Sequence, residues 1–210
     1  VLADDPPLRR ELETGGLFGA REARGRGIGS ALKLHERAWA VEQGVRCIRW
    51  AFDAADSLQA YLAIRRLAAF ARRFSPAPES PDGLAEWWLG SSRVRMRLEG
   101  GRRPPDLADY LEAETPKLNP AALDARDLPV PCDSPGAPQR SLALVEIPPD
   151  IQRLDAVDGA LAKAWRDQVQ AVLRDAFQRG YLATDFLYLK GERLPRSYYL
   201  LSHGEALLGL

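Results

Sequence analysis

The run Arg24-Gly25-Arg26-Gly27-Ile28-Gly29-Ser30 decides how this chain is read. Alternating glycines let the backbone turn tightly and leave its amides uncovered by side chains. A helical period begins at the same place. Ile28, Leu32, His35, Trp39 and Glu42 fall on one stripe, widened by Ala31 and Ala38, and all but Glu42 suit burial. Gly44 stands where a left-handed C-terminal cap is expected. A helix that starts on such a turn leaves its first amides without partners and gathers partial positive charge there. Turn and helix together make a cradle for a pyrophosphate, with Arg24 and Arg26 adding formal charge. The competing reading is an ordinary tight turn before a helix.

Downstream, Val45 to Phe52 is β-branched and aromatic and predicts a strand. Asp56-Ser57-Leu58-Gln59 has the form of a capping box and opens a second helix over 56–68, with Leu58, Tyr61, Leu62, Ile64 and Leu67 on its apolar side. Strands are predicted over 69–74 and 84–89, with a loop over 75–83. Trp87 and Trp88 then point to opposite faces and serve packing. Arg93-Val94-Arg95-Met96-Arg97-Leu98 alternates with period two and predicts an edge strand guarded by arginine. Residues 99–140 are proline-rich and predict a linker with one helical turn near Leu107 to Tyr110. A loop of that length is unusual inside one unit, so two subdomains are expected. The second, 141–210, reads as β-α-β-β: strands over 141–147, 181–189 and 196–202, and one long helix over 154–179 marked by Val157, Leu161, Trp165, Val169, Val172 and Phe177. Upstream of the glycine run, residues 1–16 are an uncertain segment with a short helical tendency around Leu8 to Glu13. Leu17-Phe18 is the only strand-like pair before the loop.

Composition narrows the classes. The chain has 210 residues, 29 basic and 29 acidic, so it makes a poor general polyanion binder, and no nucleic-acid partner is expected. No run approaches the length of a membrane span. Cys47 and Cys132 cannot build a disulfide framework or a thiolate zinc site, which gives a cytoplasmic expectation and no metal.

Two known cradles compete for the loop. Gly25, Gly27 and Ser30 nearly satisfy a dinucleotide motif, with Asp53 as its ribose acid, but that motif follows an apolar strand directly, and Ala20-Arg21-Glu22-Ala23-Arg24 stands there instead. The pattern Arg or Gln, two residues, Gly, one residue, Gly or Ala is met at every position by Arg24 to Gly29. With the helix, strand and helix that follow, and with Glu86-Trp87-Trp88-Leu89, residues 17–98 resemble part of the GNAT superfamily of acyl-CoA N-acyltransferases. Residues 141–202, ending in Arg196-Ser197-Tyr198-Tyr199-Leu200, resemble an extension found in one uncharacterised branch of it.

The resemblance implies a GNAT-like α/β mixed sheet flanked by helices. It implies acetyl-CoA or another acyl-CoA on Arg24, Gly25, Arg26, Gly27, Ile28, Gly29 and Ser30, and transfer of the acyl group to a small amine or amino acid. It also implies several strands before the loop; about twenty residues precede it here, so a chain incomplete at its N-terminus, with an uncovered sheet edge and a homodimer, is expected. The family's acid tyrosine falls at Ile64, with Tyr61 a stand-in one turn earlier, and the glycine that ends its second helix falls at Ala68. A non-catalytic CoA-binding or assembly module is the alternative. His35 reads as a packing residue of its stripe, Asp53 as a strand-end acid and Asp56 as a helix cap.

Overall fold

The structure, a computed structural model, describes residues 11–15, 26–75, 82–100, 107–189 and 195–204. The fold is α/β, with a mixed seven-stranded sheet and six helices among these residues.

β1 (Glu11–Thr14) runs parallel to β2 (Cys47–Phe52), joined to it through the glycine loop and α1 (Ile28–Glu42). Segment 11–14 is therefore a strand where a helical tendency is expected, because its backbone pairs with the aromatic strand beside it. Leu17-Phe18 lies outside the described residues. α2 (Ser57–Ala60) continues into a π-helical turn (Tyr61–Arg66) and leads to β3 (Phe70–Phe74), and then β4 (Gly83–Trp88) inserts antiparallel between β2 and β3. The chain goes on through α3 (Ser92–Leu98), α4 (Leu107–Glu112), a small hairpin β5 (Ala122–Leu123) and β6 (Pro129–Val130), β7 (Leu142–Ile147), α5 (Ile151–Val157), α6 (Gly159–Gln178), β8 (Tyr181–Leu189) and β9 (Arg196–His203). The sheet order is β1-β2-β4-β3-β8-β9-β7, and Ala71 opposite Ala183 joins its two halves.

The caps follow the sequence. The Asp56 side chain accepts from the amides of Leu58 and Gln59, and Gly44 takes φ +70° after α1. Ala68 also takes a left-handed φ, +58°, where the resembling family places glycine. Ala60, Ala63 and Ile64 are buried, so the small face of this helix lies against the core. Trp87 is buried and meets Trp50 edge-to-face at 6.1 Å, while Trp88 packs with Phe70 and Leu182 on the other face.

Three expectations change. Arg93 to Leu98 is helical: Ser91 accepts from the Val94 amide as an N-cap, and the same alternation that fits a strand also sets Arg93 and Arg97 four apart on one helix face. The single helix over 154–179 is two, because Asp158 is extended and caps α6 ahead of Gly159; Val157 at the break is 58% exposed. Residues 116–118 do not merely connect but run along β7: the Leu118 amide donates to the Leu144 carbonyl and the Leu144 amide donates to the Pro116 carbonyl, both at 2.8 Å.

The largest surprise is α1. Its buried residues are Lys33 and Ala40. Ile28, Leu32 and Trp39, the expected core stripe, are 47, 53 and 50% exposed, and His35 is exposed with them. Lys33 lies under the helix, donating to Thr14 Oγ1 at 3.1 Å, pairing with Glu36 at 2.7 Å, and standing 4.2 Å from the centre of the Trp50 ring. An ammonium so fully partnered holds α1 in this orientation although its carbon side would suit burial better.

Candidate functional site

In a β-α-β unit the loop after the first strand lies outside the carboxyl ends of the strands, the usual place for ligands in open α/β sheets. Here that loop delivers the chain to Gly27, which takes φ +79° as the N-cap residue of α1. An L side chain adopts this conformation at a cost, so the glycine is a backbone requirement. Among the described residues beyond its chain neighbours, a Cβ built there would meet nothing within 4 Å.

The start of α1 differs in kind from those of α2, α3, α5 and α6. Asp56, Ser91, Asp150 and Asp158 each place a side-chain oxygen on a first-turn amide of α2, α3, α5 and α6. Gly27 supplies none, and no acid stands in the first turn of α1. The first hydrogen bond of the helix runs from the Ala31 amide to the Gly27 carbonyl at 3.0 Å. Among the described residues none accepts from the amides of Ile28, Gly29 and Ser30, the groups an anion meets at a helix start. Arg26 and Gly27 are exposed beside them, and Gly29 and Ser30 are half-buried. Arg24 and Gly25 lie outside the described residues. Tyr61 is not part of this cluster. It stands on the helix that packs beside α1, 39% exposed, and Ile64, at the position of the family's acid, is completely buried.

Asp53, the acid a dinucleotide would need, is otherwise engaged. Its Oδ1 accepts from the Ala55 amide at 2.8 Å and its Oδ2 from Arg166 at 3.3 Å, and burial pushes its carboxyl above the usual carboxylate range. β4 also inserts antiparallel between β2 and β3 and breaks the parallel order that fold requires.

No family model, curated protein or solved structure matches this chain. The reading of the site therefore rests on its own chemistry.

Two polar constellations had no sequence signal. Near β8, a register shift between Ala183 and Asp185 turns Asp185 toward Arg65 at 2.8 Å and Arg97 at 3.3 Å. Arg93 lies alongside, donating to the carbonyls of Ala68 and Thr184, and burial lowers its pKa to about 10. These guanidinium groups are committed to internal acceptors, which makes the cluster a lock between the π turn, α3 and β8. The partners are 88 or more residues apart in the chain for Arg97 and Asp185, so only folding brings them together.

The second is Glu146 on β7, which accepts from the Ala121 amide at 2.9 Å and faces Arg196 at 3.3 Å. With Leu123, Pro129 and Trp165 these residues line a cavity of about 40 Å³, room for a water and not for a substrate. Burial holds the Glu146 carboxyl above its ordinary value of 4.5. Such a group favours the folded state below its unfolded pKa, and that contribution is lost as pH rises through the folded value. Glu146→Gln cannot ionise. It is expected to remove this pH dependence above pH 4.5 and to be at least as stable as the parent at pH 7, read from urea midpoints across that window.

Cys47 is buried and its thiol is pushed up to about 12 by that burial, so it does not act as a nucleophile at neutral pH. Among the described residues no three His, Cys, Asp or Glu side chains converge on a metal position, and no helix is long and apolar enough to cross a membrane.

Proposed function

We propose that this chain binds coenzyme A or an acyl-CoA at the glycine loop and that its activity is acyl transfer to a small amine or amino acid. The observation that carries the reading is the start of α1: among the described residues, a helix N-terminus without a side-chain cap, opened by a glycine at φ +79°, with Arg26 exposed beside it. Oriented amides and a guanidinium match the pyrophosphate of CoA. The spacing of Arg24, Gly27 and Gly29 and the mixed order of the sheet support a GNAT-like reading over a dinucleotide one. In this reading Gly27, Ile28, Gly29 and Ser30 offer backbone amides, and Arg24 and Arg26 offer charge. An acyl-CoA supplies a thioester, whose carbonyl an amine attacks as the thiolate leaves.

The chain's own proton chemistry is thinner. Ile64 cannot protonate a thiolate, and Tyr61 is the one tyrosine the sequence offers in its place on that helix. This favours a second reading, a module that holds CoA without turning it over. Isothermal titration with CoA, acetyl-CoA and NAD tests the shared premise: heat with either CoA species and none with NAD is expected, and the reverse sinks both readings. Release of free thiol from acetyl-CoA in the presence of a panel of amines then separates enzyme from binder.

A further inference from the structure

α1 lies over β1 and β2, since Lys33 reaches Thr14 of one and Trp50 of the other. With about 100° between successive residues, the buried strip of Lys33 and Ala40 has Arg37 on one flank and the Ile28, Leu32, His35, Trp39 stripe on the other. Arg37 reaches Glu99, at the end of α3, at 3.7 Å, so its flank faces the interior of the sheet. The apolar stripe therefore faces outward, past β1. Among the described residues β1 has a neighbour on one side only, whereas the far edge, β7, is lined by residues 116–118. Among the described residues, one end of the molecule thus combines an unpaired strand edge with three large apolar side chains on that flank of α1, each about half exposed, while Leu34 and Val41 are exposed on the Arg37 flank.

We infer that this end is the interface of a homodimer in which β1 pairs antiparallel with β1 of a second copy. A two-fold axis perpendicular to the sheet leaves both α1 helices on the same face of the joined sheet. Each overhanging stripe then meets the other above the seam. The two features thus answer each other: the edge finds a strand, and the stripe finds an equal stripe. Size agrees. A large side chain of roughly 200 Å² that is half exposed offers about 100 Å². Ile28, Leu32 and Trp39 of two copies then bury on the order of 600 Å², and the paired strands add to this, toward the roughly 1,000 Å² that a biological interface should clear.

Charge opposes this pairing on the reverse face. Leu12 and Thr14 share the face of α1, so Glu11 and Glu13 lie on the other, where Glu11 pairs with Arg49. In the dimer these acids crowd across the seam. Repulsion between surface charges is screened by salt while apolar burial is not, so the dimer tightens as salt is added.

Sedimentation equilibrium of the full chain tests it, with two variants at exposed positions. A dimer at micromolar concentration that tightens from 20 mM to 500 mM salt is expected. Leu32→Glu with Trp39→Glu should weaken it by more than roughly thirtyfold, the effect of losing a central interface anchor, with an unchanged circular dichroism spectrum. Glu13→Lys should instead tighten the dimer several-fold at low salt and weaken its salt dependence. A monomer at all concentrations and salts overturns the inference. So does a dimer indifferent to the α1 substitutions. If the double variant aggregates, Glu13→Lys decides: no change in the dimer constant places the interface elsewhere.

Discussion

Gly27→Asp is expected to weaken CoA binding by about a hundredfold or more while moving the melting temperature by only a few degrees. A carboxylate at Gly27 would stand at the first turn of α1, where phosphates would meet the free amides. Two unit charges about 5 Å apart repel by about 3 kcal/mol at an effective dielectric of 20, and 1.4 kcal/mol is a factor of ten. Loss of the amide contacts adds to this. The fold pays less. Gly27 sits at φ +79°, so any L residue there incurs about 1–2 kcal/mol, with Asp among the more tolerant. An acid at a helix N-terminus returns about 0.3–1 kcal/mol. Among the described residues beyond its chain neighbours, no atom lies within 4 Å of the added Cβ, so no packing with them is disturbed. A net cost of about 1 kcal/mol shifts a domain of this size by roughly 2–4 °C. Titration calorimetry and thermal denaturation of the same preparation are compared. A variant that binds CoA as tightly as the parent removes the loop from the cofactor site.

Asp185→Ala is expected to lower the unfolding free energy by about 3–5 kcal/mol, the typical cost of removing one partner from a buried ion pair. The Asp185 side chain is 8% exposed, and its partners Arg65 and Arg97 are 14 and 18% exposed, so water cannot readily replace the lost carboxylate. Arg93, whose pKa burial already lowers, loses its nearest favourable charge as well. Asp185→Asn keeps the shape and can still accept from the Phe186 amide, so its loss is smaller. Asp167→Ala serves as the contrast: its bridge to Lys163 is exposed at both ends, and such i,i+4 pairs contribute about 0.3–0.5 kcal/mol. Urea midpoints at constant slope measure all three. If Asp185→Ala stays within about 0.5 kcal/mol of the parent, the arginine cluster is a surface network and not a lock.

Local chemistry was enough for much of this architecture. Aromatic and β-branched runs define β2, β8 and β9 because their backbones suit an extended, half-covered surface. Gly44, Gly180 and Asp56 mark helix ends because left-handed turns and free amides demand those residue types, and all three act as expected. The glycine loop is legible for the same reason, and Gly27 takes the backbone angle that only glycine adopts freely. Arg93 to Leu98 shows where such reading stops. Period two and a four-residue spacing coexist in those six residues, and the neighbours that accept from Arg93 and Arg97 belong to Ala68, Thr184 and Asp185, far away in the chain.

The sequence by itself determined the α/β class, the starts of α1, α2 and the strands β8 and β9, and the glycine that opens α1, since each depends on a few adjacent residues. The tertiary structure decided the orientation of α1, the burial of Lys33 in place of Trp39, the antiparallel insertion of β4, and the Asp185 and Glu146 clusters. Those depend on which distant surfaces meet. An apolar stripe says that a helix has a face to cover, and only the arrangement of the sheet shows that this face looks out past β1.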